Sequence, residues 1–453
     1  MKKHLLAITF LTLALHCPAQ GDERWGLEKC VEYAVANNLQ VKQSEESAEL
    51  QRLNVEQSKF NYIPTLGASA GYNANFGRSL DQTTYQFING QTVNNFNAGL
   101  QLSTQVFAGM GKLHSLKRSQ IDLLASIQQT ERIKNDIMLS VTAAYLQILY
   151  NKEQITNSEN QVNLINDQIE RTQKLVDAGS VALGALLDLQ SQKAAEEYNT
   201  VTYRNQHTIS VLTLTQLLEL RNVPDFDIEI PSVDGIVATT PSLSVNEIFD
   251  LANELPQIRQ ARLETQSAEH AISLARAKLY PTLNFSASYG SSFSDARQKP
   301  ILGADGKPSY INYPFFDQFG DNASAAIGLS LNVPIFYGLT AERGVKIAKL
   351  QKRQSELSLL QTSDKLYKDI SQAWADATSA LDRYRSAQSS VKASQEAFRY
   401  ADSKFSAGAS NVVDYNQAKN NLINAQSMMT QAKWEYVFKS KILDFYAGIP
   451  IKL

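Results

Sequence analysis

IPTLGASAGYN at residues 63–73 returns as YPTLNFSASYG at residues 280–290, 217 positions later. Read by alternate residues, the first copy places Leu66, Ala68, Ala70, Tyr72, Ala74 and Phe76 on one side. Thr65, Gly67, Ser69, Gly71, Asn73 and Asn75 fall on the other. A period of two is the signature of a β-strand. The second copy sets Leu283, Phe285, Ala287 and Tyr289 against Asn284, Ser286, Ser288 and Gly290. Two further strands follow the same rule. Phe96, Ala98, Leu100, Leu102 and Val106 oppose Asn97, Gly99, Gln101, Ser103 and Gln105; Ile327, Leu329, Leu331 and Val333 oppose Ala326, Gly328, Ser330 and Asn332.

One face is therefore apolar with aromatics near its ends, and the other is small, polar and uncharged. A sheet resting on a soluble core would carry charge on its wet face. Uncharged Ser, Asn, Gln and Gly suit a water-filled barrel, and the apolar face suits lipid. Ser69, Asn73, Gln101, Ser103, Asn284, Ser286, Ser330 and Asn332 are the candidate lumen residues. Four strands do not close a barrel, since about eight is the practical minimum. The barrel is expected to be shared among chains. The prolines at Pro64 and Pro281 stop the preceding helix and turn the chain into the extended region.

The repeat extends outward from these strands. Phe107-Ala108-Gly109 is echoed by Phe336-Tyr337-Gly338, and Asp177-Ala178-Gly179-Ser180 by Ser406-Ala407-Gly408-Ala409. The expected halves are 20–225 and 242–447, joined by a linker at 226–241 and followed by a tail at 448–453. Each half reads as a helix (Leu27 to Asn61, Val245 to Leu279), a strand, a polar connection, a second strand and a long helical hairpin. Strands are expected near 64–76, 95–107, 281–291 and 323–336, with long loops at Gly77 to Asn95 and Ser292 to Asn322. From Leu116 to Val176 there is no Pro or Gly, and apolar residues recur at an average near 3.5. That spacing marks a coiled-coil seam. A second rod is expected from about Ala341 to Ser403. The hairpin tips fall near 177–184 and 404–412. The fold class is mixed α/β, mostly long helices with four strands per chain.

Residues 1–19 read as a signal peptide: Lys2 and Lys3, then an apolar run from Leu5 to Leu15, with cleavage expected after Ala19. Cys17 raises the alternative of lipidation, against which stands His16 directly before it. Only Cys30 then remains, so no internal disulfide and no Cys-based zinc site is expected. No later stretch approaches 18 apolar residues, which excludes membrane-spanning helices. The net charge of -2 offers no basic field for nucleic acid. His114, His207 and His270 are scattered and read as surface residues. Glu45 with Glu46 and Glu196 with Glu197 read as solvated helix charges. No catalytic constellation stands out.

With these parts in this order, the chain resembles the outer membrane efflux protein family, the TolC-like exit ducts of Gram-negative cells. The stretch GRSLDQTTYQFINGQTVNNFNAGLQLSTQVFAG at 77–109 looks like the Bacteroidetes branch. The resemblance implies a homotrimer with a twelve-stranded barrel in outer-membrane lipid, continued by a periplasmic helical tunnel. It implies no cofactor, and as partners a periplasmic adaptor and an inner-membrane pump. It places Ala178, Gly179, Ser180, Ala407, Gly408 and Ala409 at tips that meet the adaptor. Asp414 matches an acidic residue that rings the periplasmic entrance in some members. Asp188 is its weaker counterpart, three residues further from its glycine. Phe405 and Ser410 stand where some members latch the closed tip with a tyrosine and an arginine; Lys404 and Arg399 lie nearby. The function implied is passive conduction of drugs, toxins or proteins out of the cell. The competing reading is a trimeric coiled-coil surface adhesin or spacer.

Overall fold

The computed structural model describes residues 24–80, 86–221, 226–231, 243–303, 306–410 and 412–452. The signal segment with Cys17 and most of the 226–241 linker lie outside them. In chain order the elements are α1 (Leu27–Asn37), α2 (Leu39–Phe60), β1 (Thr65–Leu80), β2 (Phe87–Ala108), α3 (Gly111–Asp177) and α4 (Leu183–Leu217). The second half brings α5 (Val245–Ala252), α6 (Pro256–Ala277), β3 (Thr282–Ser294), β4 (Gln298–Leu302), β5 (Pro308–Asn312), α7 (Phe315–Asp321), β6 (Ser324–Asn332), α8 (Thr340–Ser406) and α9 (Val412–Tyr446).

The repeat is metrical. α2 and α6 each have 22 residues and start 217 positions apart. α3 and α8 each have 67 residues and start 229 apart, as do α4 and α9 with 35 each. The offset changes by twelve residues between the strands, so the second half carries an insertion there. β4, β5 and α7 lie in that connection. The expected loop at 292–322 is thus a β-hairpin and a short helix. The expected loop at 77–95 is also largely strand, because β1 runs to Leu80 and β2 begins at Phe87.

Two compact units divide the chain, and each takes segments from both repeats. Among the described residues, the first gathers those up to Leu39, those in Asn135–Ile248 and those from Ile370 onward. Its core is built on Tyr145, Ile148, Leu149, Leu214, Ile370, Tyr436 and Val437, all nearly inaccessible. Helices here are joined by polar pairs set among the apolar ones. Asn151 Nδ2 on α3 donates to the Gln206 carbonyl on α4 at 3.1 Å. The Glu153 carboxylate on α3 accepts from Lys433 Nζ at 2.7 Å and Trp434 Nε1 at 2.6 Å on α9. The segment read as a free linker is partly fixed. Ile228 is buried and bridges Trp25, and Tyr145 Oη donates to the carbonyl of Glu229 at 2.7 Å.

The second unit holds Gln40–Lys134 and Phe249–Asp369. Small hydroxyl pairs let α2 approach α3: Ser44 with Thr130 and Ser58 with Ser119, each at 2.9 Å. α6 meets α3 through Ser267 and Asp122 and through His114 and His270, whose Nδ1 atoms lie 3.3 Å apart. These two histidines are half-buried partners, not scattered surface residues. Among the described residues no three His, Cys, Asp or Glu side chains converge as a metal site.

Candidate functional site

The sheet of the second unit has the order β1-β2-β3-β6, antiparallel throughout. Its register carries the two sequence faces across all four strands. Leu66 pairs with Leu102, Leu102 with Ala287, and Ala287 with Ile327. On the reverse side Thr65 pairs with Ser103, Ser103 with Ser286, and Ser286 with Gly328. The candidate residues Ser69, Asn73, Gln101, Ser103, Asn284, Ser286, Ser330 and Asn332 all fall on that polar face. No Asp, Glu, Lys or Arg occurs in 65–76, 95–108, 282–294 or 324–332.

Neither face rests on a core. β6 is exposed at every position, and on the apolar face Ile327 is 79% and Leu331 63% accessible. So much bare apolar surface marks contact with lipid or another chain. The distal end is treated differently. α7 lays Phe315 against Phe96 and Phe293, at ring separations of 5.6 and 5.0 Å, on the apolar side. β3 runs four residues past its last pair with β6. There Gln318, fully buried, accepts from Ser294 N–H at 2.6 Å and donates to its carbonyl at 3.0 Å. The amide thus satisfies backbone groups that a neighbouring strand would otherwise pair.

At the proximal end each repeat leaves the sheet through two successive left-handed residues. Gly109 and Met110 have φ of 57° and 65°; Gly338 and Leu339 have 60° and 64°. In β2 a bulge between Gln105 and Phe107 precedes that turn.

The hairpin tips, in the first unit, are two copies of one motif. Gly179 N–H donates to the Val176 carbonyl and Ser180 N–H to that of Leu175, both at 2.9 Å. Gly408 and Ala409 repeat this with Phe405 and Lys404 at 3.0 and 2.9 Å. Both glycines have φ of 69°. This paired 6→1 and 5→2 closure needs a left-handed residue, which glycine supplies without a Cβ penalty. Ala178, Gly179, Ser180, Ala407, Gly408 and Ala409 are all exposed.

Asp414 lies in the first turn of α9, exposed, with Ser410 Oγ at 3.5 Å. The equal helix lengths give Asp414 the counterpart Ala185. Asp188 sits three residues deeper in α4, at the position of Gln417. The expected pairing of the two aspartates across the repeat is therefore corrected. Phe405 stacks toward Tyr415 at 5.0 Å between ring centres, and Phe398 at 5.5 Å. Lys404 turns over the Tyr400 ring at 4.6 Å, and Arg399 pairs with Glu396 at 2.7 Å.

A contact that the sequence reading missed ties the two hairpins together just inside the tips. Gln168 on α3 donates to Tyr415 Oη and accepts from Lys419 Nζ at 3.0 Å. Lys419 is only 3% accessible. Burial pulls its ammonium down to about 8 and pushes the Tyr415 phenol up to about 12, since a low-dielectric site disfavours the charged form of each. The available signal was the repeat itself. Tyr415 stands where α4 has the buried Leu186, and Lys419 where α4 has Gln190.

The model of the family described as "Outer membrane efflux protein" matches residues 31–219 and 249–448. Among curated relatives, outer membrane protein TolC of Escherichia coli (strain K12) is 24% identical over 430 residues, covering 91% of this chain and 80% of its own. BepC, an outer membrane efflux protein of Brucella suis, is 22% identical, covering 90% and 82%. A crystal structure of CusC superposes with a TM-score of 0.80 at 14% identity, covering 94% of this chain and 92% of that one. VceC from Vibrio cholerae gives 0.76 at 16%, covering 93% and 96%. With a largely uncovered four-stranded sheet, two glycine-closed tips and a family match over most of its length, the chain belongs to the outer membrane efflux protein family.

Proposed function

We propose that three copies of this chain form one channel through the outer membrane, each giving four strands to a twelve-stranded barrel whose polar face is the lumen. The chain is an exit duct of efflux systems at the outer membrane of a Gram-negative cell, with a large periplasmic helical portion. The observation that carries the trimer is the uncovered sheet. Among the described residues no strand pairs with the outer edges of β1 and β6, and most of the apolar face is uncovered; lipid tolerates no open sheet edge. The lumen row Ser69, Asn73, Gln101, Ser103, Asn284, Ser286, Ser330 and Asn332 sets width and wetting, with no charge to select an ion. The strand sequence of 77–109 supports placement in the Bacteroidetes branch.

In this reading the duct belongs to a tripartite efflux or type I secretion system and works without a cofactor. The tips around Gly179 and Gly408 dock a periplasmic adaptor that couples to an inner-membrane pump. Asp414, repeated by threefold symmetry, rings the periplasmic entrance; Asp188 lies one turn further in. Phe405 and Lys404 shape the tip of the second hairpin. The contacts of Gln168 with Tyr415 and Lys419 hold the two hairpins of one chain together.

Conductance in a planar bilayer tests the duct. The purified protein is expected to give discrete current steps, whereas a surface spacer or adhesin gives none. Asp414→Ala is expected to lower cation preference, read as a reversal-potential shift in a salt gradient. Photocrosslinking from Gly179 and Gly408 in whole cells is expected to capture one adaptor species.

A further inference from the structure

We propose that a second copy of this chain completes the sheet in one defined register, β6 of one copy against β1 of the next, with Asn332 opposite Ser69 and Leu329 opposite Tyr72. The inference rests on the trimeric reading and goes beyond it by fixing which residues meet.

It comes from the repeat. β1 maps onto β3 by 217 positions and β2 onto β6 by 229. The mapping holds inside the chain. Thr65 pairs with Ser103, and the mapped residues Thr282 and Asn332 pair too. Asn73 pairs with Asn95, and Gly290 with Ser324. β2 against β3 is the junction between repeats, and its mapped counterpart, β6 against β1, is missing from a single chain. Ser103 opposite Ser286 becomes Asn332 opposite Ser69. Leu100 opposite Tyr289 becomes Leu329 opposite Tyr72. Most mapped pairs set polar against polar and apolar against apolar, Ala326 opposite Asn75 and Tyr337 opposite Thr65 being exceptions, and a slip of one residue would invert the pattern.

The helices repeat the argument. Inside the chain α3 meets α6 through Asp122 with Ser267 and His114 with His270. A Cβ on Gly109 would stand 2.6 Å from the Ala277 carbonyl. The mapped positions on α2 are Leu50, Leu53 and Phe60, which are 56%, 52% and 62% accessible. Gly338, which maps onto Gly109, has nothing within 4 Å of such a Cβ. Positions covered within the chain are bare at its edges, and those on α2 are larger and more apolar than their internal counterparts. The contact is head-to-tail, the kind that closes into a ring.

Paired cysteines test the register. In a Cys30→Ala background, Ser69→Cys with Asn332→Cys is the matched pair; Ser69→Cys with Ser330→Cys is the pair shifted by two on the same face. β1 and β6 lie three strand spacings apart in one chain, about 14 Å, beyond the reach of a disulfide at about 7 Å. A bridge therefore joins two copies. After oxidation of outer membranes, non-reducing gels of the matched pair are expected to show dimer and trimer bands with a ladder that stops at three. The shifted pair is expected to react at least tenfold less, and each single variant not to bridge into that ladder. If the shifted pair bridges and the matched pair does not, while native mass in detergent is that of three chains, the register is overturned and the trimer stands. A native mass of one chain, or a ladder passing three, overturns both.

Discussion

Gly109 and Gly338 share a backbone and differ in everything around it. Each turns a strand into a 67-residue helix through a left-handed pair. Around Gly109 the Ala277 carbonyl and Tyr280 Cβ would lie 2.6 and 2.7 Å from an added methyl; around Gly338 there is open space. The first glycine answers to conformation and to packing, the second to conformation alone until a neighbour arrives. Duplication preserved the turn, and the two copies then met different surroundings. The same contrast recurs wherever one repeat faces inward and the other outward.

Exchanges between repeats break or sharpen that comparison. Gly109→Ala adds a left-handed penalty of about 1 kcal/mol to a backbone clash, for a loss of about 3 kcal/mol. Thermal melting of the assembly in detergent reads it. Gly338→Ala costs about 1 kcal/mol in an isolated chain. In the proposed trimer it is expected to approach the cost of Gly109→Ala, because the next copy would bring Phe60 to the place of Ala277. Equal and small melting shifts for both variants would break the comparison.

Lys419→Gln installs the residue that α4 has at this position. The Lys419 ammonium falls to about 8 from its ordinary 10.5, so between these values the unfolded chain holds more protons than the folded one. Stability contributed by this site therefore rises with pH across that window. The substitution is expected to flatten that rise and to stabilise the protein at pH 7 by about 1–2 kcal/mol, measured by melting at a series of pH values.

His270→Leu copies Leu53 into α6. Burial, the neighbouring His270 and Lys117 hold His114 below its ordinary value of 6.5. As pH falls through that range the unfolded chain takes up the proton first, and stability is lost. The variant is expected to remove only the repulsion from His270 and to leave the larger burial contribution, read as a slightly smaller drop in melting temperature between pH 7 and pH 5.

Glu219→Gly is the smallest change. Glu219 closes α4 at φ of 56°, in the place that Gly448 takes after α9 at 74°. Relief of that strain is expected to stabilise by about 1 kcal/mol or less, seen as a rise of a few degrees or less in the melt.

The parts legible in the sequence are those whose cause is local. Alternation at Leu66 to Phe76, the stops at Pro64 and Pro281, and the turns at Gly179 and Gly408 depend on residues a few positions away. The distal strand ends were not legible. Asn94, Asn95 and Gly77 have loop chemistry, yet Asn95 pairs with Asn73 and with Ser294. Pairing partners chosen across the sheet overrode local preference. His114 and His270 stand 156 positions apart, and no helical spacing could link them. Within the candidate site, the polar row was readable because its period is two. The Gln168, Tyr415 and Lys419 contact was not, because it joins residues from opposite repeats.

The connection bearing β4, β5 and α7 occurs in one repeat only, whereas the glycine-closed tip occurs in both. In the proposed trimer the insertion would occur once per subunit and the tip motif twice. A partner recognising the insertion would count chains, and one recognising the tips would count half-chains. The two features would thus offer different numbers of equivalent addresses, and their partners would have to match different stoichiometries.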